Sequence, residues 1–164
     1  MQKNEMMQNL NIREARQTDV PLILDMIKEL AVYEDMLDCV EATEEIVVAS
    51  LFIRNKANAL IVEYKTKPIG YVIYFYNFST FTGRPGLYIE DIYIAPEMRK
   101  NGFGKYIFRY LAQIAKEENC ARIEWACLDW NEASIRFYKS MDAVDMNEWT
   151  IYRLDEHAID QLLQ

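Results

Sequence analysis

Strands and helices mix along this chain in the manner of a single α/β (α+β) domain. Short apolar segments recur, LYIEDIYIA at 87–95 reading as a strong strand and ARIEWACL alternating Ile123, Trp125 and Cys127. Segments of helical spacing lie between them, with Ile107, Tyr110, Leu111, Ile114 and Ala115 on one face. No repeat, low-complexity run or linker interrupts 11–164, and 164 residues are ample for one core. One domain is therefore expected over 11–164, with 1–10 a loose lead-in.

NIREAR at 11–16 reads as a strand. Thr18 is placed to cap the next helix, with Pro21 in its first turn and Val20, Ile23, Leu24, Ile27, Leu30 and Ala31 on its apolar face. Thr43 starts a second helix through Phe52. ANALIVEY and IGYVIYFYNF are strands around a KTKP turn, and FTGRPG is a loop. LYIEDIYIA is a strand ended by Pro96. A helix runs from about 103, ARIEWACL is a strand, and Asn131 caps a helix to about Ser140. NEWTIYRL is expected as a last strand, followed by a short helix.

The net charge of −8 argues against nucleic acid, whose phosphates need basic patches, and permits a cationic partner. No apolar run approaches the roughly 20 residues of a membrane span, and MQKNEMMQNLN lacks the apolar core of a secretory signal. Cys39, Cys120 and Cys127 are odd in number without CxxC spacing. They are expected to be packing residues in a reducing cytoplasm, not a disulfide framework or a metal site. The lone histidine, His157, is read as a surface residue.

RKNGFGKY at 99–106 places two of five glycines at the mouth of a helix. A helix N-terminus carries free N–H groups and partial positive charge, and glycine lets an anion approach the backbone. Arg99, Lys100 and Lys105 add charge. The stretch reads either as a diphosphate cradle or as a tight loop that needs glycine geometry. It is neither GxGxxG nor GxxxxGK[ST]. A second stretch, LDWNEASIRFYKSMDA at 128–143, sets Asn131, Ser134 and Tyr138 at helical spacing.

Taken together, YIEDIYIAPEMRKNGFGKY and DWNEASIRFYKSMDA resemble the GCN5-related N-acetyltransferases (GNAT). Within that family IKELAVYE, FSTFTGR and LDWN resemble the diamine group, the spermidine/spermine and thialysine acetyltransferases. The resemblance runs from about Ile12 to about Leu154. It implies a mixed, mostly antiparallel sheet with a splayed central strand pair flanked by helices. It also implies acetyl-CoA as cosubstrate without a metal, a small cationic amine as acceptor, and a homodimer.

Carried over by position, the backbone of Ile92, Tyr93 and Ile94 would pair with the pantetheine arm. Arg99, Lys100, Asn101, Gly102, Phe103, Gly104 and Lys105 would hold the pyrophosphate on their backbone N–H groups. Asn131 and Ser134 would contact the cofactor, Tyr138 would be the general acid, and Glu90 would accept the amine proton directly or through water. Tyr33, Glu34, Phe81, Asp91 and Trp149 would form an acidic, aromatic-edged acceptor pocket. The chain departs from the family in two places: Asp142 where relatives carry glycine, and Phe81 where they often carry tryptophan. Aspartate tolerates a left-handed turn, so the first should be harmless. Two other readings share these residues: an acetyltransferase of protein lysines or N-termini, and a non-catalytic acyl-CoA-binding module.

Overall fold

The computed structural model describes residues 6–164. The chain gathers into two compact units, one running to Ala126 and the other Cys127–Gln164. Of the lead-in expected over 1–10, residues 1–5 lie outside the described part, and Leu10 already opens the first strand.

In the first unit the strands are β1 (Leu10–Glu14), β2 (Asn58–Tyr64), β3 (Lys67–Ser79), β4 (Arg84–Ile94) and β5 (Ile123–Trp125). They stand in sequence order in one mixed sheet, antiparallel from β1 to β4 and parallel between β4 and β5. The helices are α1 (Val20–Tyr33), α2 (Glu44–Val48), which runs on into a π turn Ala49–Ile53, and α3 (Phe103–Glu117). In α2 the Thr43 hydroxyl caps by accepting the Ile46 N–H at 3.3 Å, as its sequence predicts.

α1 covers one sheet face. Its Ile23 and Met26 pack with Ile61, Tyr71 and Tyr93. α3 belongs to the opposite face, with Phe103 against the Tyr64 ring and Phe108 edge-on to Trp125. The apolar positions expected on α1 are buried or packed on this cluster, and Met26 joins them.

Thr18 does not cap α1; a 3-10 turn, Gln17–Asp19, precedes the helix. Asp19 is committed elsewhere, accepting from the Arg16 N–H at 2.7 Å and from both terminal nitrogens of Arg13. Arg13 in turn binds Glu63 at 2.8 Å, which ties β1, β2 and the entry to α1 together. The FTGRPG loop is shorter than expected, because β4 already begins at Arg84 and only the turn around Gly83 (φ 63) remains.

The second unit holds α4 (Glu132–Lys139) and α5 (Glu156–Leu162). Asn131 and Asp155 cap them, accepting the N–H groups of Ser134 and Ala158. The strand expected over NEWTIYRL does not form. Residues 147–154 are irregular and exposed, with Trp149 72% and Tyr152 91% accessible. Alternation is only half of a strand; a ladder partner is the other half, and among the described residues none pairs with this segment. The final helix is present, and His157 is exposed on it. Cys39 is exposed, not packed, while Cys120 and Cys127 are half-buried; none of the three is in a disulfide.

Candidate active site

One irregularity in β4 organises the first unit. Ile73 faces Asp91 and Tyr74 faces Ile89, so Glu90 is an extra residue, a β-bulge. The bulge changes which face the side chains meet. Ile89 neighbours Trp125, which lies against Phe108 of α3. Asp91 and Tyr93 instead stand on the α1 face with Tyr71. An unbroken strand would have put Ile89, Asp91 and Tyr93 on one side.

The Tyr71 hydroxyl donates to Asp91 Oδ2 at 3.0 Å. Burial raises the Asp91 pKa, the tyrosine bond opposes this, and nearby Glu90 adds to the rise. Glu34 is raised too, first by burial and then by repulsion from Asp91. The two carboxyls therefore share one partly buried, acidic site. Glu34 is placed there by the way α1 stops. It is the C-cap, and the next residue, Asp35, takes φ 58. The Met36 N–H then bonds back to the Ala31 carbonyl at 2.8 Å, closing a Schellman-type end. A carboxylate at a helix C-terminus opposes the helix dipole, so Glu34 gives α1 no stability there. Glu90, the expected base, is exposed at the bulge beside Asp91.

β5 pairs with β4 only over Leu87–Ile89. Beyond that, among the described residues, no strand covers this edge of β4, which is the expected splay. The Ala95 N–H bonds the Ile69 carbonyl, so by antiparallel alternation Tyr93 exchanges its backbone bonds with β3. Ile92 and Ile94 then direct theirs outward. Of the three residues expected to pair with an extended ligand, Ile92 and Ile94 have backbone groups suitably turned.

The loop after β4 answers why two glycines stand at this helix. Arg99 is extended, Lys100 takes φ 64, and Gly102 is the α3 N-cap at φ 87. A side chain at Gly102 would be strained. Gly102 offers no capping group, and the first turn of α3 holds no acidic residue. Across this end the Tyr106 N–H donates to the Gly102 carbonyl at 3.3 Å. A 15-residue helix thus ends in an uncapped mouth, with exposed Lys100 and Lys105 beside it. That suits a diphosphate. Gly104 lies inside the first turn, where no φ demands glycine. Asn101 donates to the Met98 carbonyl at 3.1 Å and shapes the loop, and the Phe103 side chain is core.

Arg99 points elsewhere. Its Nε donates to the Ile94 carbonyl at 2.8 Å, and its guanidinium lies 5.0 Å from the Tyr33 ring centroid and 5.7 Å from that of Tyr93. The resemblance assigns its backbone N–H to the pyrophosphate; its guanidinium lies against Tyr33, expected for the acceptor, and Tyr93, expected for the pantetheine arm. Tyr71 and Glu29, whose carboxylate accepts from the Tyr93 hydroxyl at 2.6 Å, were missed. No local pattern marks them, because each is defined by a partner distant in the chain. Phe81 sits at the far tip of the β3–β4 hairpin, 96% exposed and about 20 Å along the strand from Asp91, so this chain does not bring those two together.

In the second unit, Asn131 is buried and its side-chain oxygen is engaged as the cap of α4. Ser134 and Tyr138 follow on the same helix, half-buried, with the Tyr138 ring 5.5 Å from Phe137. Asp142 takes φ 61, so the position where relatives carry glycine does demand a left-handed residue, and aspartate supplies it. Among the described residues no group of three or more His, Cys, Asp or Glu side chains could hold a metal, and no helix is long and apolar enough to cross a membrane.

A bulged strand running into an uncapped helix mouth fits an enzyme that presents a diphosphate-bearing donor to a nucleophile. Comparison with known proteins gives the family. The model of the acetyltransferase (GNAT) family matches residues 23–142, so the chain belongs to that family and is an acetyltransferase of its type. It is 36% identical to a thialysine N-epsilon-acetyltransferase of Sus scrofa, covering 95% of this chain and 98% of that one. An L-ornithine N5-acetyltransferase of Arabidopsis thaliana is 28% identical, covering 92% and 86%. Among solved structures, a predicted acetyltransferase with acetyl-CoA from Clostridium acetobutylicum superposes with a TM-score of 0.73 at 21% identity, covering 88% of this chain and 96% of that one.

Proposed function

We propose that the chain transfers an acetyl group from acetyl-CoA to a primary amine of a small polyamine, diamine or lysine-like acceptor, as one N-acetyltransferase domain over 11–164. The observation that carries this reading is the Glu34–Asp91 carboxyl pair, Glu34 at the end of α1 and Asp91 on the strand that leads into the uncapped mouth of α3. The thialysine and ornithine enzymes named above act on amines of this kind, which supports the acceptor class.

The chemistry sets the requirements. An alkylammonium has a pKa near 10.4, so at pH 7 roughly one molecule in 2,500 is neutral, a cost of about 4.6 kcal/mol. Glu34 and Asp91 hold the cation first. Glu90, directly or through water, takes a proton as the amine nitrogen bonds to the acetyl carbonyl carbon. The carbon–sulfur bond breaks, and Tyr138 donates to the departing sulfur. Its ordinary pKa of about 10 lies above that of a thiol, about 8.5, so its main contribution is a hydrogen bond as charge develops. Bound acetyl-CoA supplies the activated thioester. The helix mouth at 99–105 holds its diphosphate, Ile92 and Ile94 pair with its pantetheine arm, and Asn131 and Ser134 steady it. The enzyme is read as a cytoplasmic homodimer.

The test is thiol release from acetyl-CoA with spermidine, putrescine, thialysine, ornithine, lysine and a lysine peptide, for wild type and Tyr138→Phe. The expected result is turnover on at least one small amine, reduced about 10²–10⁴-fold in kcat by the substitution, with acetyl-CoA binding retained. Turnover on the peptide alone would move the acceptor to protein lysines. Acetyl-CoA binding without turnover on any amine would leave a binding module.

A further inference from the structure

We infer that Arg99, through its guanidinium, is a positioning residue for the amine acceptor and not a side-chain ligand of the diphosphate, and that it ties the loop before α3 to the end of α1. The inference rests on the acetyl-transfer reading above. Three contacts carry it. The Nε–H is spent on the Ile94 carbonyl, which anchors the side chain to the last residue of β4. The guanidinium is shared between the Tyr33 and Tyr93 rings. The Tyr93 hydroxyl bonds Glu29, which lies one helical turn before Tyr33 on the same face of α1. Arg99, Tyr93, Glu29 and Tyr33 thus link β4 to the final turn of α1.

That final turn delivers Glu34, the residue next to Tyr33, to the neighbourhood of Asp91. Two carboxyls that repel each other do not approach unless something else holds the backbone. The Schellman end fixes the local geometry of α1, but its register against β4 is set by side chains from both elements. Arg99 is the cation in that contact. A planar guanidinium can stack on two rings and still donate from Nε; a lysine ammonium carries the charge without the plane or that donor. Met98 and Lys100 flank Arg99 within the loop, so movement of that loop would reach Tyr33 and Glu34 through this one side chain.

Steady-state kinetics on wild type, Arg99→Lys, Tyr33→Leu and Tyr33→Phe test this, with melting temperatures to identify any variant that fails to fold. Expected for Arg99→Lys is a rise in acceptor KM of about tenfold, with the acetyl-CoA KM within about threefold of wild type. Tyr33→Leu, which leaves the loop untouched, should raise the acceptor KM likewise, and Tyr33→Phe, which keeps the ring, should recover most of that loss. The double variant Arg99→Lys/Tyr33→Leu should be little worse than either single one, since both break the same contact. Arg99→Lys raising the acetyl-CoA KM with the acceptor KM unchanged would overturn the inference and return Arg99 to the diphosphate. So would additive losses in the double variant. Wild type inactive on every small amine would instead overturn the acetyl-transfer reading beneath it, a distinguishable failure.

Discussion

Tyr71 reaches diagonally across the β3–β4 ladder to donate its hydroxyl to Asp91 Oδ2 at 3.0 Å, while its Cα partner is Tyr93. The bond favours the ionised aspartate and burial disfavours it; burial wins, so Asp91 titrates above the ordinary carboxylate range. The Tyr71 hydroxyl is held in the neutral form, since burial and the facing Asp91 both push its pKa far up. It is a permanent donor across the working pH range.

Tyr71→Phe removes that donor and should push the Asp91 pKa further up. Protons compete with a cationic amine for Glu34 and Asp91, so the acceptor KM should fall as pH rises through their raised pKa values. In the variant this fall should come at higher pH, with the two curves meeting in the alkaline limit. Acceptor KM measured against pH for both proteins checks it, and superimposed curves would show that Asp91 does not titrate in amine binding.

The same shift has a consequence for stability. A carboxyl whose pKa is raised on folding binds its proton more tightly in the folded state. The stability linked to that proton is complete below the ordinary carboxylate pKa and lost as pH rises through the raised value. Asp91→Asn keeps an acceptor for Tyr71 and removes the charge. It should melt above wild type at pH 8, with the difference vanishing at pH 3 to 4, as read by thermal denaturation across pH.

Arg13 has the opposite sign. Its bonds lower the pKa of both Asp19 and Glu63, the charge-assisted hydrogen bonds being the leading cause. Their stabilisation is present above the ordinary carboxylate range and lost as pH falls through the depressed values. Arg13→Met, at a part-buried site, should cost about 1–2 kcal/mol near neutrality, or about 3–6 °C in Tm, and progressively less in acid.

The two glycines of the helix mouth should separate. Gly102→Ala forces a side chain into a left-handed conformation, costing about 1–2 kcal/mol, and should lower Tm by about 3–6 °C. Gly104→Ala sits in a helical turn, where alanine is favoured by about 0.5–1 kcal/mol, and should raise Tm. If the mouth binds a diphosphate, Gly104→Ala should nonetheless weaken acetyl-CoA binding, measurable by calorimetry. A more stable variant that binds acetyl-CoA normally would place the diphosphate elsewhere.

Much of this was legible in the sequence because it is local. Thr43, Asn131 and Gly102 mark helix starts by their own chemistry, and Asp142 takes the left-handed turn expected of it. What was not legible depends on partners. LYIEDIYIA sets Leu87 and Ile89 in one phase and Ile92 and Ile94 in the other, with Glu90 and Asp91 at the break; that Glu90 is the extra residue is seen only against β3. Residues 147–154 have the Trp, Thr, Ile and Tyr of a strand, yet among the described residues none supplies a ladder. Arg99 lies within a motif associated with phosphate, and only the fold turns its guanidinium to Tyr33. Thr18 lost its expected cap to a neighbour, Asp19, already recruited by Arg13.

The account stands most directly on the two carboxyls. The decisive measurement is kcat/KM for the best small amine, with acetyl-CoA saturating, in wild type, Glu34→Gln and Asp91→Asn. Each substitution removes a charged partner of an ammonium, worth about 1.5–3 kcal/mol, so the predicted result is a loss of roughly 10- to 150-fold in acceptor kcat/KM with the acetyl-CoA KM unchanged. Wild-type efficiency toward the amine in both variants would contradict it.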